Sequence, residues 1–176
     1  MYVDYRGRGR SAPVADPSEV TFIGDVADIA ALIRTLGLGA VNVYGFSYGG
    51  MVAQALALDH PELVKRLILA NTLHSPEMWQ KNHENINREI EMQYPEVWEQ
   101  DEVAKLPDFR PRLKELRMPV LILAGRYDRA LCPKYQWDFK RFAPQAEFVW
   151  MERSGTFSHI EEPEAVFTLV RRFLEA

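Results

Sequence analysis

The amino-acid sequence predicts an α/β fold in which a parallel sheet is covered by helices on both faces. Four short apolar runs are separated by segments with helical spacing, and proline or glycine marks the ends of most of these segments. Strands that alternate with helices along the chain are typical of parallel sheets with crossover connections. Ligands of such sheets bind at the carboxyl ends of the strands.

The four apolar runs are predicted to be buried strands, because each is short, nearly continuously apolar and rich in β-branched residues. They are Val41 to Phe46, Val64 to Ala70, Val120 to Ala124 and Glu147 to Met151. The run from Val3 to Tyr5 is predicted to be the stub of a fifth strand.

Helices are predicted in the segments between and after these strands. The first has an apolar stripe that stops at Gly37 and Gly39. The stripe consists of Phe22, Val26, Ile29, Ile33 and Leu36. A second helix is predicted from about Gly49 to Leu58, a third after Pro133 and a last one after Pro163, since proline suits the first helical position.

The segment from Thr72 to Arg112 interrupts the alternation, because it is charged and contains four prolines and two tryptophans. We interpret it as a short helical cap over the site. The chain is then divided into a first core segment (1–71), a cap or lid (72–112) and a second core segment (113–176). Within the cap, Trp79, Trp98 and Met92 either line an apolar pocket or pack the cap against the core.

The composition limits the classes of partner. With 176 residues, 47% of them hydrophobic, the chain suits one globular domain. The net charge of −4 provides no excess of cations for phosphates, so nucleic acid is not an expected partner. A single cysteine, Cys132, excludes an intramolecular disulfide and favours a cytoplasmic protein. No apolar segment is long enough for a signal peptide or a membrane span.

The motif Gly45-Phe46-Ser47-Tyr48-Gly49 lies between a predicted strand and a predicted helix. In this context small residues permit a strained turn that exposes the serine hydroxyl above the sheet. Ser47 is therefore the candidate nucleophile. The alternative is a glycine-rich turn in which Ser47 merely caps the helix.

A serine hydroxyl needs a base to take its proton and a carboxylate to orient that base. Asp128 follows the third predicted strand and is the candidate acid, the alternative being a turn aspartate paired with Arg126 or Arg129. His159 is the only histidine after Asp128 and is therefore the candidate base. The other histidines, His60, His74 and His83, have no spacing typical of a metal site, so neither a metal nor a cofactor is expected.

Several stretches resemble the cap-bearing α/β-hydrolases, such as proline iminopeptidase-like peptidases and enol-lactonase-like esterases. Val41 to Thr72 resembles the nucleophile-elbow region, and Asp4 to Ser11 resembles the loop after the fourth strand. Gly125 to Asp128 resembles the acid loop, and Ser154 to Pro163 the histidine loop. The resemblance covers nearly the whole chain outside the cap. It implies a serine hydrolase in which the backbone N–H of Tyr48 stabilises the oxyanion.

Three features depart from this family pattern. The family's catalytic histidine directly follows the glycine of its loop, and here that position is Thr156, so that His159 matches a later, usually non-catalytic position. Everything that the family places before its fourth strand is absent, so the sheet has a gap unless Val3 to Tyr5 pairs with the first predicted strand. The cap is also short, and this leaves the substrate weakly specified.

These observations leave three functions open. The first is hydrolysis of a small carboxylic ester, lactone or amide through an acyl-enzyme. The second is a proline iminopeptidase-like aminopeptidase, for which Glu161 and Glu162 are candidates to bind the substrate ammonium, unless they are a solvated helix start. The third is a catalytically silent α/β-hydrolase fragment. Such a fragment keeps the fold for binding, or for assembly with a second copy or a complementing chain.

Overall fold

The computed structural model describes residues 1–78 and 105–176. The described residues form a four-stranded sheet of β1 (Val41–Phe46), β2 (Val64–Ala70), β3 (Val120–Gly125) and β4 (Glu147–Met151). The strands lie in the order β1-β2-β3-β4, and every neighbouring pair is parallel. The four predicted strands are confirmed, with β3 one residue longer than expected.

The helices that lie wholly within the described residues follow the predicted order. They are α1 (Phe22–Thr35), α2 (Tyr48–Asp59), α3 (Pro133–Trp137), α4 (Phe139–Phe142), α5 (Ser158–Glu161) and α6 (Pro163–Glu175). The segment after Pro133 forms two short helices rather than the single helix expected: α3 ends at Trp137, and α4 begins after Asp138. The short helix α5 was not expected from the sequence.

Both faces of the sheet are covered, as the sequence predicts. Successive side chains of a strand point to opposite faces. On one face, Leu67 and Leu69 of β2 pack in the larger core cluster with Met51 of α2. On the other face, Ile68 packs in a second cluster with Phe173 of α6. Burial of these apolar side chains is what holds the helices onto the sheet.

The prediction of a fifth strand at Val3 to Tyr5 is wrong. This run pairs with no strand among the described residues. Its polar groups are instead used in a local turn: the Ser11 hydroxyl donates to the carbonyl of Asp4 at 2.6 Å, and the backbone N–H of Arg10 donates to the Asp4 carboxylate at 3.0 Å. Local side-chain bonds of this kind compete with strand pairing.

The predicted cap, 72–112, lies partly outside the described residues, and so do Trp79, Trp98, Met92 and His83. Its two described ends meet, because the backbone N–H of Phe109 donates to the carbonyl of His74 at 2.9 Å. Met78 and Phe109 are both buried in the larger core cluster. The division at residues 72 and 112 remains a prediction. Within residues 1–78 and 105–176, no helix is long and apolar enough to cross a membrane.

Candidate active site

Ser47 lies at a strained turn between β1 and α2. Its φ is 50° and its ψ is −122°, a conformation that a residue with a side chain rarely adopts. Close packing of the surrounding backbone accompanies this turn. A Cβ at Gly45 would lie 2.5 Å from the carbonyl oxygen of Gly49, and one at Gly50 would lie 2.3 Å from the Thr72 hydroxyl. Gly45 thus permits β1 to approach α2 at Ser47, and Gly50 permits α2 to approach the segment after β2.

Backbone hydrogen bonds fix the turn while the serine side chain takes no part. The backbone N–H of Ser47 is shared between the carbonyls of Ala70 and Asn71, at 3.1 and 3.2 Å. The Thr72 hydroxyl donates to the carbonyl of Ser47 at 2.6 Å. Ser47 precedes α2, but its side chain makes no capping hydrogen bond, so the alternative of a helix-capping serine is wrong.

Tyr48 is anchored next to the serine by a buried carboxylate. Its hydroxyl donates to Oδ2 of Asp25, a residue of α1, at 2.7 Å. Burial raises the pKa of Tyr48, and the hydrogen bond to Asp25 raises it further, so Tyr48 stays neutral. As the first residue of α2, Tyr48 has a backbone N–H without an acceptor inside the helix. The resemblance assigns this N–H to the oxyanion, and that role remains a prediction.

Asp128 follows β3 and is 2% exposed. Its Oδ2 accepts from the side-chain amides of Asn71 at 2.9 Å and Gln136 at 3.0 Å. Its Oδ1 accepts from the backbone N–H of Leu131 at 2.8 Å and from the Thr156 hydroxyl at 2.7 Å. Four donors therefore compensate the burial of this carboxylate.

The alternative of an Asp128–Arg126 pair does not apply, because Arg126 binds Glu152 instead. Its Nη2 and Nε lie 2.6 and 3.0 Å from the two oxygens of that carboxylate. The donor from the histidine loop to Asp128 is Thr156, which occupies the position where the resemblance places a catalytic histidine. The departure seen in the sequence therefore has a counterpart in the structure, because a hydroxyl binds Asp128 at the position where the resemblance places an imidazole.

His159 lies on α5, and the loop that carries it crosses the carboxyl edge of the sheet. The loop leaves β4 at one edge, whereas the His159 ring packs against Phe46 of β1 at the other edge, with 4.8 Å between ring centroids. Phe46 directly precedes Ser47. Among the described residues, Nδ1 of His159 is buried without a hydrogen-bond partner, and the partners found for Asp128 do not include His159.

Glu161 and Glu162 hold the histidine loop together. The two oxygens of Glu161 accept from the backbone N–H groups of Gly155 and Phe157, both at 3.0 Å. Glu162 is 8% exposed and accepts from the backbone N–H of Arg153 at 2.8 Å. Burial, the largest single effect, would raise the pKa of Glu162, but the hydrogen bonds from Arg153 and Ser154 and the charge of Arg153 together lower it. The interpretation of Glu162 as a solvated helix start is therefore wrong.

Asn71, for which the sequence predicts no role, lies at the centre of these loops. It follows β2, is 1% exposed and has a φ of 43°. Besides Asp128, its amide donates to the carbonyl of Gly155 at 3.1 Å, and its Oδ1 accepts from the Ser158 hydroxyl at 2.9 Å. The signal in the sequence is a polar amide directly after a buried strand, at the edge where ligands bind.

The described residues contain no group of three or more His, Cys, Asp or Glu side chains that could hold a metal ion. His74 is instead buried between Phe139 and Phe142, with its Nε2 3.2 Å from the carbonyl of Tyr135. Burial, the largest effect, lowers the pKa of His74 below its usual value of 6.5.

A parallel sheet with a strained serine turn between strand and helix, and an aspartate after a later strand, is typical of α/β-hydrolases. The family model of the alpha/beta hydrolase fold matches residues 2–105, more than half of the 176-residue chain. The chain belongs to the α/β-hydrolase family.

Two curated relatives show which members it resembles. It is 41% identical over 75 residues to a protein named carbamate hydrolase RutD from Caulobacter sp. (strain K31), covering 42% of this chain and 27% of that protein. It is 36% identical over 102 residues to a proline iminopeptidase of Neisseria meningitidis, covering 56% of this chain and 32% of the relative. The chain thus spans about a third or less of the length of these relatives.

Solved structures match over nearly the whole chain. A thermophilic esterase from Thermogutta terrifontis superposes with a TM-score of 0.76 at 26% identity, covering 98% of this chain and 78% of that one. The enol-lactonase from Burkholderia xenovorans LB400 superposes with a TM-score of 0.72 at 23% identity, covering 98% and 79%, and this likeness shows the fold.

Proposed function

We propose that this chain is a serine hydrolase that cleaves a small carboxylic ester, lactone or amide through an acyl-enzyme. Oγ of Ser47 adds to the substrate carbonyl carbon while His159 takes the serine proton. His159 returns this proton to the leaving alcohol or amine as the carbonyl–heteroatom bond breaks. Water then attacks the acyl-enzyme and gives a proton to His159, which passes it to Oγ of Ser47 as the acyl–oxygen bond breaks and the acid leaves. The backbone N–H of Tyr48 stabilises the oxyanion in both steps.

The observation that carries the proposal is the backbone conformation of Ser47. A φ of 50° in a non-glycine residue costs free energy, and such strain persists only where the surrounding structure enforces it. Ala70, Asn71 and Thr72 enforce it here through bonds to the Ser47 backbone. Strain of this kind exposes the hydroxyl at the ligand-binding edge of the sheet, and membership of the hydrolase family supports the same function.

We assign His159 as the base and Asp128 as the acid from their contacts in the structure. His159 is supported by the contact of its ring with Phe46, the neighbour of Ser47, and by its buried Nδ1, which is available for a new partner. Asp128 is proposed to orient His159, a role supported by its burial and by its hydrogen bond with Thr156 of the same loop. The proposal requires that substrate binding draws His159 to Ser47, since catalytic hydrogen bonds often tighten only in the substrate complex.

An ester or lactone substrate is favoured over a peptide with a free amino end. An aminopeptidase needs free carboxylates for the substrate ammonium, whereas Glu161 and Glu162 already accept backbone N–H groups of their own loop. The proline iminopeptidase relative keeps the peptidase as the alternative. We extend the proposal to a cytoplasmic protein without a nucleic-acid partner, supported by the single cysteine and the net charge of −4.

A fluorophosphonate probe tests the proposal, with the labelled residue mapped by peptide mass. We expect labelling confined to Ser47 in the wild type and none in Ser47→Ala. His159→Gln should slow the labelling by about 10²- to 10⁴-fold, the usual contribution of a general base. A folded wild-type sample that stays unlabelled would refute the proposal. Labelling that is unaffected by His159→Gln would refute the assignment of the base.

A second candidate, a catalytically silent member of the family, is favoured by the hydrogen bond between Thr156 and Asp128. In this case the chain binds small molecules or assembles with a second copy or a complementing chain. Thr156→His tests it by placing an imidazole beside Asp128. If the wild type is silent and Thr156→His gains labelling at Ser47, this candidate is supported. Labelling of the wild type at Ser47 excludes it.

A further inference from the structure

We infer that Asn71 is a positioning residue that holds the strained turn at Ser47, the acid loop and the histidine loop in one arrangement. The inference rests on the proposed function and deepens it, because it names the residue through which the three candidate groups are held together. Asn71 itself follows β2, the strand between the one that ends at Ser47 and the one that ends before Asp128.

The contacts of Asn71 reach every loop that carries a candidate catalytic group. Its carbonyl accepts from the backbone N–H of Ser47 at 3.2 Å. Its amide nitrogen donates to Asp128 at 2.9 Å and to the carbonyl of Gly155 at 3.1 Å. Its Oδ1 accepts from the hydroxyl of Ser158 at 2.9 Å. Ser158 directly precedes His159, so this last bond fixes the start of the helix that carries the candidate base.

The chemistry of these partners determines the orientation of the amide. A carboxylate and a carbonyl can only accept, so the nitrogen must face Asp128 and Gly155. The Ser158 hydroxyl can then donate to the oxygen. Both N–H donors of this nearly fully buried amide and one acceptor site of its oxygen are directed at two loops. Aspartate or glutamine cannot reproduce this set, because the first lacks the donors and the second is longer.

The backbone of Asn71 explains why asparagine is suited to this position. A φ of 43° is strained for most residues but accessible to asparagine, which visits the left-handed region more readily. The turn directs the side chain towards the acid and histidine loops, while the backbone carbonyl still reaches Ser47 and the backbone N–H binds the carbonyl of Leu123 at 2.8 Å. One residue thereby connects the ends of three strands.

Gln136 provides the contrast that separates positioning from simple support of the acid. Its side-chain amide donates to the same oxygen of Asp128 as Asn71 does, at 3.0 Å. The same amide nitrogen also donates to the carbonyl of Leu131, three residues after Asp128. If Asn71 acted through Asp128 alone, loss of either amide would have the same effect on the reaction.

The experiment compares rates of fluorophosphonate labelling at Ser47 over a range of probe concentrations. Asn71→Gly removes the side chain and leaves a residue that tolerates positive φ. We expect it to lower the maximal labelling rate by about 10- to 100-fold while the half-saturating probe concentration stays within about twofold, because misplaced groups affect the chemical step. Gln136→Met should have a clearly smaller effect. Gln145→Ala, which removes an amide bonded to the carbonyl of Leu113, controls for the loss of a partly buried hydrogen bond.

Ser158→Ala tests the link to the histidine loop directly and serves if Asn71→Gly does not fold. We expect it to slow labelling about fivefold, the equivalent of one hydrogen bond. In the Asn71→Gly background the effect should be clearly smaller, because there the hydroxyl keeps only its 3.3 Å contact with the carbonyl of Gly155.

Equal maximal rates for Asn71→Gly and the wild type would overturn the inference, and so would equal losses in Asn71→Gly and Gln136→Met. A wild type that is not labelled at all refutes the proposed function, and with it this role. Failure of the inference alone is recognised by a labelled wild type with insensitive Asn71 and Ser158 variants.

Discussion

Replacement of Thr156 by valine tests the hydrogen bond on which the unusual acid site depends. Valine has nearly the same shape as threonine but lacks the hydroxyl that donates to Oδ1 of Asp128 at 2.7 Å. Asp128 is 2% exposed, so water cannot readily replace the lost donor. A hydrogen bond to a charged group contributes about 1.5–3 kcal/mol, and we expect Thr156→Val to lower the free energy of unfolding by this amount.

Urea denaturation followed by circular dichroism measures the change, and a thermal scan should show a Tm lower by about 3–12 °C for a chain of this size. Thr168→Val, on the exposed side of α6, is the matched control and should stay within about 0.5 kcal/mol of the wild type. Thr156→Ser keeps the hydroxyl and should retain most of the stability. If Thr156→Val lowers the free energy of unfolding no more than Thr168→Val does, the Thr156 hydroxyl does not stabilise the buried carboxylate of Asp128.

Two further predictions concern the packing of the elbow and the burial of His74. Gly45→Ala would place a Cβ 2.5 Å from the carbonyl oxygen of Gly49, so we expect a loss of about 1–3 kcal/mol in urea denaturation. Gly49→Ala is the matched control, because its Cβ would lie 3.4 Å from the Tyr5 hydroxyl, an ordinary contact, and it should destabilise clearly less. Because burial lowers the pKa of His74 in the folded state, the unfolded chain binds more protons below the usual value of 6.5. The free energy of unfolding should therefore fall as the pH is lowered from about 7.5 to about 5.5, and His74→Gln should reduce this fall. An equal fall in the wild type and in His74→Gln would contradict the role of His74.

The regular elements were largely predictable because local patterns specify them. Runs such as Val64 to Ala70 are mostly apolar and buried along most of their length, which is typical of a strand covered on both faces. The stripe of α1 stops at Gly37, which has a φ of 62° and ends the helix. The prediction of a strand at Val3 to Tyr5 was wrong because a strand must pair with a neighbouring strand. Whether one is present is a tertiary property that no local pattern contains.

The candidate site was predictable to a lesser extent. The motif around Ser47 carries its own signal, since glycine on both sides of a serine between strand and helix has a steric reason. Asp128 was found from its position after a strand. The bond between Asp128 and Thr156 and the position of His159 beside Phe46 both join residues that are far apart in sequence. Nothing in the spacing of these residues indicates which of them meet.

The sequence by itself determined the class of fold, the order of its strands and helices, and the identity of the candidate nucleophile, because periodicity, proline and glycine act within a few residues of where they stand. The tertiary structure alone decided which donors compensate Asp128 and that Asn71 connects three loops. Those contacts form only when parallel strands bring their carboxyl ends to one edge, where each buried polar group binds whichever partner the folded chain places within reach.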